Sequence, residues 1–179
     1  AKNVIHVRNG VFKIYFKNSV MIQESIERAL VEQIQVENNS SNLYLAMASW
    51  CEVQGFNGAA QFLFMHSEEE RSHMLKLFKF VNERGGHAVL NDVSTPKADF
   101  NSFTEIFEEL LAHEIRVSQA INELVGKTLD AKDYTTHNFL QWYVSEQIEE
   151  EALARTVLEK LKLIGNDKGG LYLFDNDLE

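Results

Sequence analysis

The stretch HSEEERSH, residues 66–73, decides the fold because it sets Glu70 and His73 three positions apart in a segment with helical periodicity. A near-copy of this spacing joins Gln147 and Glu150 in SEQIEEE, closer to the other end of the chain. Residues i and i+3 project from one face of an α-helix, so each stretch can aim two metal-binding groups at one point. The two stretches therefore predict a metal site between helices.

Two further carboxylates, Glu37 and Glu114, belong to two other segments with a helical pattern. If both point inward, they complete a carboxylate-rich cage of the kind that holds a pair of iron ions inside a four-helix bundle. Carboxylate oxygens are hard ligands that tolerate both Fe(II) and Fe(III), and one imidazole adds affinity without the tight grip of thiolates. Such a site can bind iron and later release it.

The composition fits one globular bundle and argues against several other classes. A chain of 179 residues can bury a sizeable core, and its 45% hydrophobic and 25% charged residues are typical of globular proteins. The net charge of −10 argues against a nucleic-acid or anionic-membrane partner and favours cations. The lone proline, Pro96, leaves long helices uninterrupted.

Cysteine usage and apolar patterning predict a cytoplasmic protein. Cys51 is the single cysteine, which excludes an internal disulfide and the paired thiolates of a zinc ribbon or a rubredoxin-type iron site. No apolar run approaches the ~20 residues of a membrane span. The lysine-broken segment VFKIYFK, residues 11–17, does not fit a signal peptide.

The first half of the chain predicts two long helices and a long connection. Apolar residues with helical spacing run from about Met21 to Glu52, and again from an N-cap at Asn57 to the glycines that begin at Gly85. Residues 87–100 contain Pro96 and lack a helical period. We expect this segment to be a crossover that lets helices two and three run parallel.

The second half predicts two more long helices and a short one. Ser102 and Glu105 form a capping-box pattern that opens helix three, which ends near Leu129. Helix four extends from about Asp133 to the glycine at 165, and the segment 171–179 after it is a candidate fifth helix. The fold class is therefore all-α, a four-helix bundle with a short C-terminal helix.

Residues 1–20 do not fit this helical scheme. The dipeptide Asn9-Gly10 favours a two-residue hairpin turn, and its flanks are rich in β-branched and aromatic residues. Alternatively, Met21 is the natural start and the first twenty residues are a cloning remnant or an unusual upstream extension. Both interpretations stay open, and the domain assignment is an extension over 1–20 followed by one di-iron domain over 21–179.

Five motifs carry a family resemblance, in an order and at separations that also agree with the family. They are QVENNSSNLYLAM (35–47), HSEEERSH (66–73), LAHEIRVSQ (111–119), NFLQWYVSEQIEEE (138–151) and GLYLFDNDL (170–178). On these motifs, the chain from Met21 to Glu179 resembles the bacterial non-haem ferritins, which are cytoplasmic iron-storage proteins. The resemblance covers about nine-tenths of the chain.

The resemblance implies a ferroxidase centre with two irons. Glu37, Glu70 and His73 would hold the first iron. Glu70 would bridge to a second iron, which Glu114 and Glu150 would also hold. The family uses such a centre to oxidise Fe(II) with O2 or peroxide, and stores the ferric mineral in a hollow shell of 24 subunits.

Further family positions fall on residues of this chain. Gln147 would lie beside the iron pair, and a third, weaker iron would correspond to Glu69, Glu146, Glu149 and Glu150. Tyr44 matches the family's tyrosine near the irons, and Trp142 matches its nearby tryptophan. By resemblance, these two aromatic residues would serve as electron donors.

Neighbouring families fit less well. Bacterioferritins carry a Glu-x-x-His on helix four and a methionine after the helix-two glutamate, where this chain has Gln147, Glu150 and Arg71. Haem is therefore not expected. Rubrerythrins need a cysteine-rich iron domain, which Cys51 alone does not provide.

Each candidate ligand also has a plainer interpretation. A helical Glu-x-x-His is commonly a solvated face, and Glu68 and Arg71 could form a surface pair. Glu70, however, shares its helix face with Met74 and Leu77, which places it on the buried side. Buried carboxylates are costly unless they are paired or metal-bound. Structural or surface roles are expected for Cys51, Glu151, His6, His66, His87, His113 and His137.

The sequence therefore predicts a ferritin-like bundle that oxidises and stores iron. One alternative is a di-iron oxidase or oxygenase on the same bundle, without mineral storage. A second is a shell or scaffold that has lost iron turnover.

Overall fold

The computed structural model describes residues 5–8, 11–14 and 21–178. Five helices occupy residues 21–178, with bounds α1 Glu24–Gln54, α2 Asn57–Glu83, α3 Phe103–Asp130, α4 Tyr134–Ile164 and α5 Lys168–Asn176. The predicted all-α fold, four long helices and a short fifth, is confirmed.

A small hairpin precedes the bundle. Strand β1, Ile5–Arg8, pairs antiparallel with β2, Val11–Ile14, in the register Ile5 to Ile14 and Arg8 to Val11. The predicted turn at residues 9–10 lies outside the described residues. The origin of residues 1–20 stays a prediction with two alternatives.

The N-terminal caps of α2 and α3 agree only in part with the caps predicted from the sequence. The N-cap of α2 is Phe56 and not Asn57 as predicted, and the carboxylate of Asp175 on α5 accepts from the first-turn amides of Gly58 and Ala59. At α3 the Ser102 hydroxyl accepts from the Glu105 amide, as predicted, but the Glu105 carboxylate accepts from the Asn101 amide. The reciprocal half of the capping box is therefore shifted by one residue.

The long connection brings α2 and α3 into a parallel arrangement. Residues 84–102 contain no helix, as predicted. The N-terminal halves of α2 and α3 share one apolar cluster, with Leu63 and Phe107 among its members, and their C-terminal halves share another, with Leu77 and Ile121. Helix α1 packs along α2, and α3 packs along α4.

A polar layer separates the two apolar clusters. In this layer lie Glu37 on α1, Glu70 and His73 on α2, Glu114 on α3 and Glu150 on α4, all buried. Each buried Leu, Ile or Phe contributes roughly 1.5–3 kcal/mol, whereas an unpaired buried carboxylate costs several kcal/mol. The clusters on either side therefore offset the cost of burying acidic groups at mid-height.

Several apolar residues of the helical pattern face outward in the isolated chain. Met65 is 51% exposed, Ile148 68% and Leu163 88%. None of the helices within residues 21–178 is long and apolar enough to cross a membrane.

Candidate metal centre

Glu37, Glu70 and His73 form the innermost part of the centre. One ligand atom from each lies within 4.8 Å of those of the other two, and the residues are only 1%, 2% and 3% exposed. Helix α2 supplies Glu70 and His73 from one face because they are three positions apart. The predicted first set of ligands is therefore brought together.

The carboxyl groups of this cluster have raised pKa values. Burial raises the pKa of Glu37 well above its usual range, and the neighbouring Glu70 raises it further. Burial likewise raises the pKa of Glu70 to about 8. Glu70 Oε2 has no hydrogen-bond partner and lies 3.8 Å from His73 Nδ1. An oxygen-rich group with an unpartnered buried acceptor fits a divalent first-row metal ion.

Glu114 lies on the opposite side of this layer and is held by two side chains. The Tyr44 hydroxyl donates to Glu114 Oε1, and Gln147 Nε2 donates to Glu114 Oε2 over 3.0 Å. Burial raises the pKa of Glu114 to about 8, and Glu150 and Glu37 contribute through their charge. Tyr44 and Gln147, which by resemblance would lie near the irons, both contact Glu114.

Glu150 connects the buried centre to the surface of α2 and α4. Burial raises its pKa to about 7, with Glu69 as the next cause. His66 Nε2 lies 4.0 Å from Glu150 Oε2. His66 Nδ1 donates to the carbonyl of Phe62 over 2.9 Å, which leaves the Nε2 lone pair free in the neutral ring. His66 was expected to be structural, and it lies against a predicted ligand.

The residues assigned by resemblance to a third iron line an acidic cleft outside the centre. The cleft has a volume of about 370 Å³ and is lined by His66, Glu69, Glu146, Glu149, Glu150 and Leu153. Ligand atoms of Glu69, Glu146 and His73 lie within 4.8 Å of one another. Glu149 lines the same cleft but is exposed. His73 therefore belongs to both the inner and the outer group.

Trp142 covers His73 on the outer side. Its ring meets the imidazole edge-on with centroids 5.2 Å apart, and the ammonium of Lys76 lies 3.0 Å from the centroid of the indole ring. Trp142 is 37% exposed, so it forms part of the surface as well as of the centre.

Sequence reasoning missed two residues that hold the ligands in place. Gln33 Nε2 donates to Glu37 Oε1 over 2.8 Å, and the Tyr143 hydroxyl donates to the backbone carbonyl of His73 over 2.8 Å. Gln33 lies four residues before Glu37, so the i,i+4 spacing was the available signal. Tyr143 comes from another helix, and no local pattern indicates its partner.

Three residues that were not expected to be ligands, Cys51, His113 and Glu151, are all at least partly buried. Cys51 is buried, and burial raises the pKa of its thiol to about 12, so the thiolate is disfavoured. His113 is packed against Tyr44 and lies 2.7 Å from the Ser40 hydroxyl, and burial lowers its pKa to about 4. Glu151 was expected to be exposed and is instead half-buried, accepting from Ser118.

Comparison with known proteins agrees with this geometry. Residues 27–164 match the family model of the ferritin-like domain. A "probable bacterial non-heme ferritin-like protein" of Haemophilus influenzae is 48% identical over 158 residues, which are 88% of this chain and 96% of that protein. A bacterial non-heme ferritin of Campylobacter jejuni is 46% identical over 155 residues, 87% and 93% of the two chains.

The fold is also similar to a solved structure. An open-pore ferritin from the archaeon Archaeoglobus fulgidus superposes with a TM-score of 0.87 and 43% sequence identity. The match covers 88% of this chain and 97% of that chain. The sequence and the structure thus agree on the same family.

Proposed function

The chain belongs to the ferritin family, and we propose that it oxidises Fe(II) with O2 in its buried polar layer and stores the ferric product. The observation that carries this proposal is the buried group of Glu37, Glu70 and His73, with an unpartnered carboxylate oxygen at its centre. Burial raises the pKa values of Glu37, Glu70 and Glu114, so these groups hold protons near neutral pH that a bound cation would replace.

Membership of the ferritin family supports two iron positions in this layer. Glu37, Glu70 and His73 hold the first Fe(II), and Glu70 bridges to a second, which Glu114 and Glu150 complete. Both positions offer mainly carboxylate oxygens, which suit a metal that changes between Fe(II) and Fe(III) without leaving the site. Two Fe(II) ions supply the two electrons that, with two protons, reduce one O2 to hydrogen peroxide.

The ligand carboxyl groups release protons when Fe(II) binds, and neighbouring side chains hold the ligands in place. The first Fe(II) displaces the protons that the raised pKa values of Glu37 and Glu70 keep in place near neutral pH. Gln33 and Tyr143 fix the first set of ligands, and Tyr44 fixes Glu114. The centre is therefore preorganised before iron arrives.

A third, more weakly held iron belongs in the acidic cleft. Glu69, Glu146, Glu149 and Glu150 provide four carboxylates there, and the full or partial exposure of the first three allows exchange with solvent. Trp142 touches His73, and Tyr44 touches Glu114, so each aromatic residue is within contact of a ligand and is placed to donate an electron.

Storage requires a closed assembly of many copies. The outward-facing apolar residues Met65, Ile148 and Leu163 are candidates for subunit contacts in a homo-oligomer. By family membership we expect a hollow shell of 24 subunits. The cytoplasmic location predicted from the sequence remains a prediction.

An aerobic Fe(II) titration of the iron-free protein tests the proposal. With iron in large excess over chains, the oxidised iron is expected to stay soluble and to co-elute with protein at large molecular size. Fast oxidation of about two irons per chain, followed by precipitation, would favour a di-iron oxidase without a storage cavity. Oxidation no faster than in buffer would contradict the ferroxidase role.

A further inference from the structure

A chain of hydrogen bonds leads from Glu114 out to the surface between α3 and α4. Gln147 Nε2 donates to Glu114 Oε2 over 3.0 Å and lies 3.4 Å from the Ser118 hydroxyl oxygen. The Ser118 hydroxyl lies 2.5 Å from Glu151 Oε1, and Arg155 lies 3.3 Å from Glu151 Oε2. The chain ends in a pocket of about 250 Å³ that Ser118, Gln147, Glu151 and Arg155 help to line.

The direction of each hydrogen bond follows from the chemistry of the groups. The Glu151 carboxylate only accepts, so the Ser118 hydroxyl must donate to it. The lone pairs of Ser118 then remain for the Gln147 side chain, which must present an N–H. Arg155 contacts Glu151 Oε2 from the solvent side and helps to hold the carboxylate in place.

The amide of Gln147 has one orientation that satisfies its neighbours. Its nitrogen faces three acceptors, namely Glu114 Oε2, the Glu114 backbone carbonyl at 3.4 Å and the Ser118 oxygen. If the amide were turned round, its oxygen would face the same acceptors and lose every bond. An amide nitrogen does not ligate metals, because its lone pair is delocalised into the carbonyl.

We propose that Ser118 and Glu151 are positioning residues that lock the Gln147 amide with its nitrogen toward Glu114. Gln147 then serves the centre as a donor that holds a metal-binding carboxylate, and not as a ligand itself. The inference rests on the proposed function and adds to it a positioning role for Ser118 and Glu151, which are not iron ligands. Together with Tyr44, Gln147 holds Glu114 from both oxygens.

If Ser118 and Glu151 lock the amide, a second substitution should reverse the effect of the first. In Glu151→Ala the Ser118 hydroxyl loses its acceptor and becomes free to donate to the amide oxygen of Gln147, which turns the amide away from Glu114. Removing that hydroxyl as well, in Ser118→Ala/Glu151→Ala, removes the cause of the rotation. The double variant should therefore be closer to the parent than Glu151→Ala is, which a merely structural role would not produce.

Anaerobic titration calorimetry with Co2+ and the iron-free protein measures the metal affinity of each variant without any oxidation. For the second Co2+ bound per chain, the one that Glu114 and Glu150 would hold, we expect Glu151→Ala to weaken binding about tenfold. The double variant should recover most of the loss, a coupling of the size found between contacting residues. Glu159→Ala and Ser145→Ala are matched controls. Glu159 is exposed on the same helix, and the Ser145 hydroxyl bonds the Gln141 carbonyl.

Crystal structures of the metal-free variants provide a second measurement. In Glu151→Ala the Gln147 amide should leave Glu114, and in the double variant it should return. An unmoved amide, parent-like Co2+ affinity in Glu151→Ala, or a double variant weaker than Glu151→Ala would overturn the lock. Neither measurement uses O2 or mineral formation, so a failure of iron oxidation or storage in the parent would be seen separately.

Discussion

Glu69 and Glu70 are neighbours in the sequence and lie in different chemical environments. Glu70 points into the polar layer, is 2% exposed and has a pKa raised to about 8 by burial. Glu69 is exposed and lines the open acidic cleft. One residue step rotates a helix by about 100°, which is enough to separate a dry group from a solvated one. The comparison teaches that adjacent carboxylates of one acidic motif differ in solvation, one being buried in the polar layer and the other open to solvent.

The largest expected difference between the two regions is in iron oxidation. Glu70→Ala removes the carboxylate proposed to bridge the two irons. We expect the initial rate to fall by at least about a hundredfold, since even residues that only support metal ligands cost about 10- to 100-fold. Glu69→Ala should change that rate severalfold at most. Stopped-flow absorbance of the ferric product measures both, with assembly checked by size exclusion. Equal losses in the two variants would remove the distinction between inner and outer sites.

A moderate effect is expected on the stability of the metal-free protein. The pKa values of Glu70 and Glu114 are raised from 4.5 to about 8, so between these values the folded state holds more protons than the unfolded state. The free energy of unfolding therefore falls as pH rises from about 5 to about 8. Glu70→Gln should weaken this dependence and raise the melting temperature at pH 8.

Thermal unfolding from pH 5 to 8.5 measures this dependence. Glu68→Gln is the matched control, because Glu68 is exposed on the same helix and its replacement removes the same charge. Added Co2+ should restore stability at pH 8 in the parent more than in Glu70→Gln. A melting temperature of the parent that rises steadily with pH would contradict the assigned burial of these carboxylates.

The smallest expected effect is on the solvent exposure of Trp142, which lies beside His73 between the buried layer and the acidic cleft. Lys76 lies over Trp142, which in turn contacts His73. Lys76→Met removes a cation–π contact worth about 0.5–1 kcal/mol at a partly exposed site. In a Trp50→Phe background Trp142 is the one remaining tryptophan. Its fluorescence should shift and its quenching by added acrylamide should increase, whereas Lys79→Met should leave both unchanged.

The sequence indicated most of the bundle because its signals are local. The lengths of α1 to α4, the unstructured crossover and the N-cap hydroxyl of Ser102 all depend on residues within one or two helical turns. The N-cap of α2 was predicted one residue late because Asn57 has a strong cap propensity. Phe56 occupies the position instead, and the first-turn amides bond to Asp175, more than a hundred positions away. Gly55 in the left-handed conformation ends α1 and fixes this tight corner.

The sequence by itself determined which acidic residues share a helix face, because the 3.6-residue period sets that relation within each helix. It thereby grouped Glu70 with His73, and through the family motifs it indicated Glu37, Glu114 and Glu150 as their partners. Only the tertiary structure decided how α1 to α4 bring these groups together, which of them lose solvent and which neighbours hold them. The contacts of Tyr143 with His73 and of Ser118 with Glu151 join residues 70 and 33 positions apart, a distance over which no local periodicity acts.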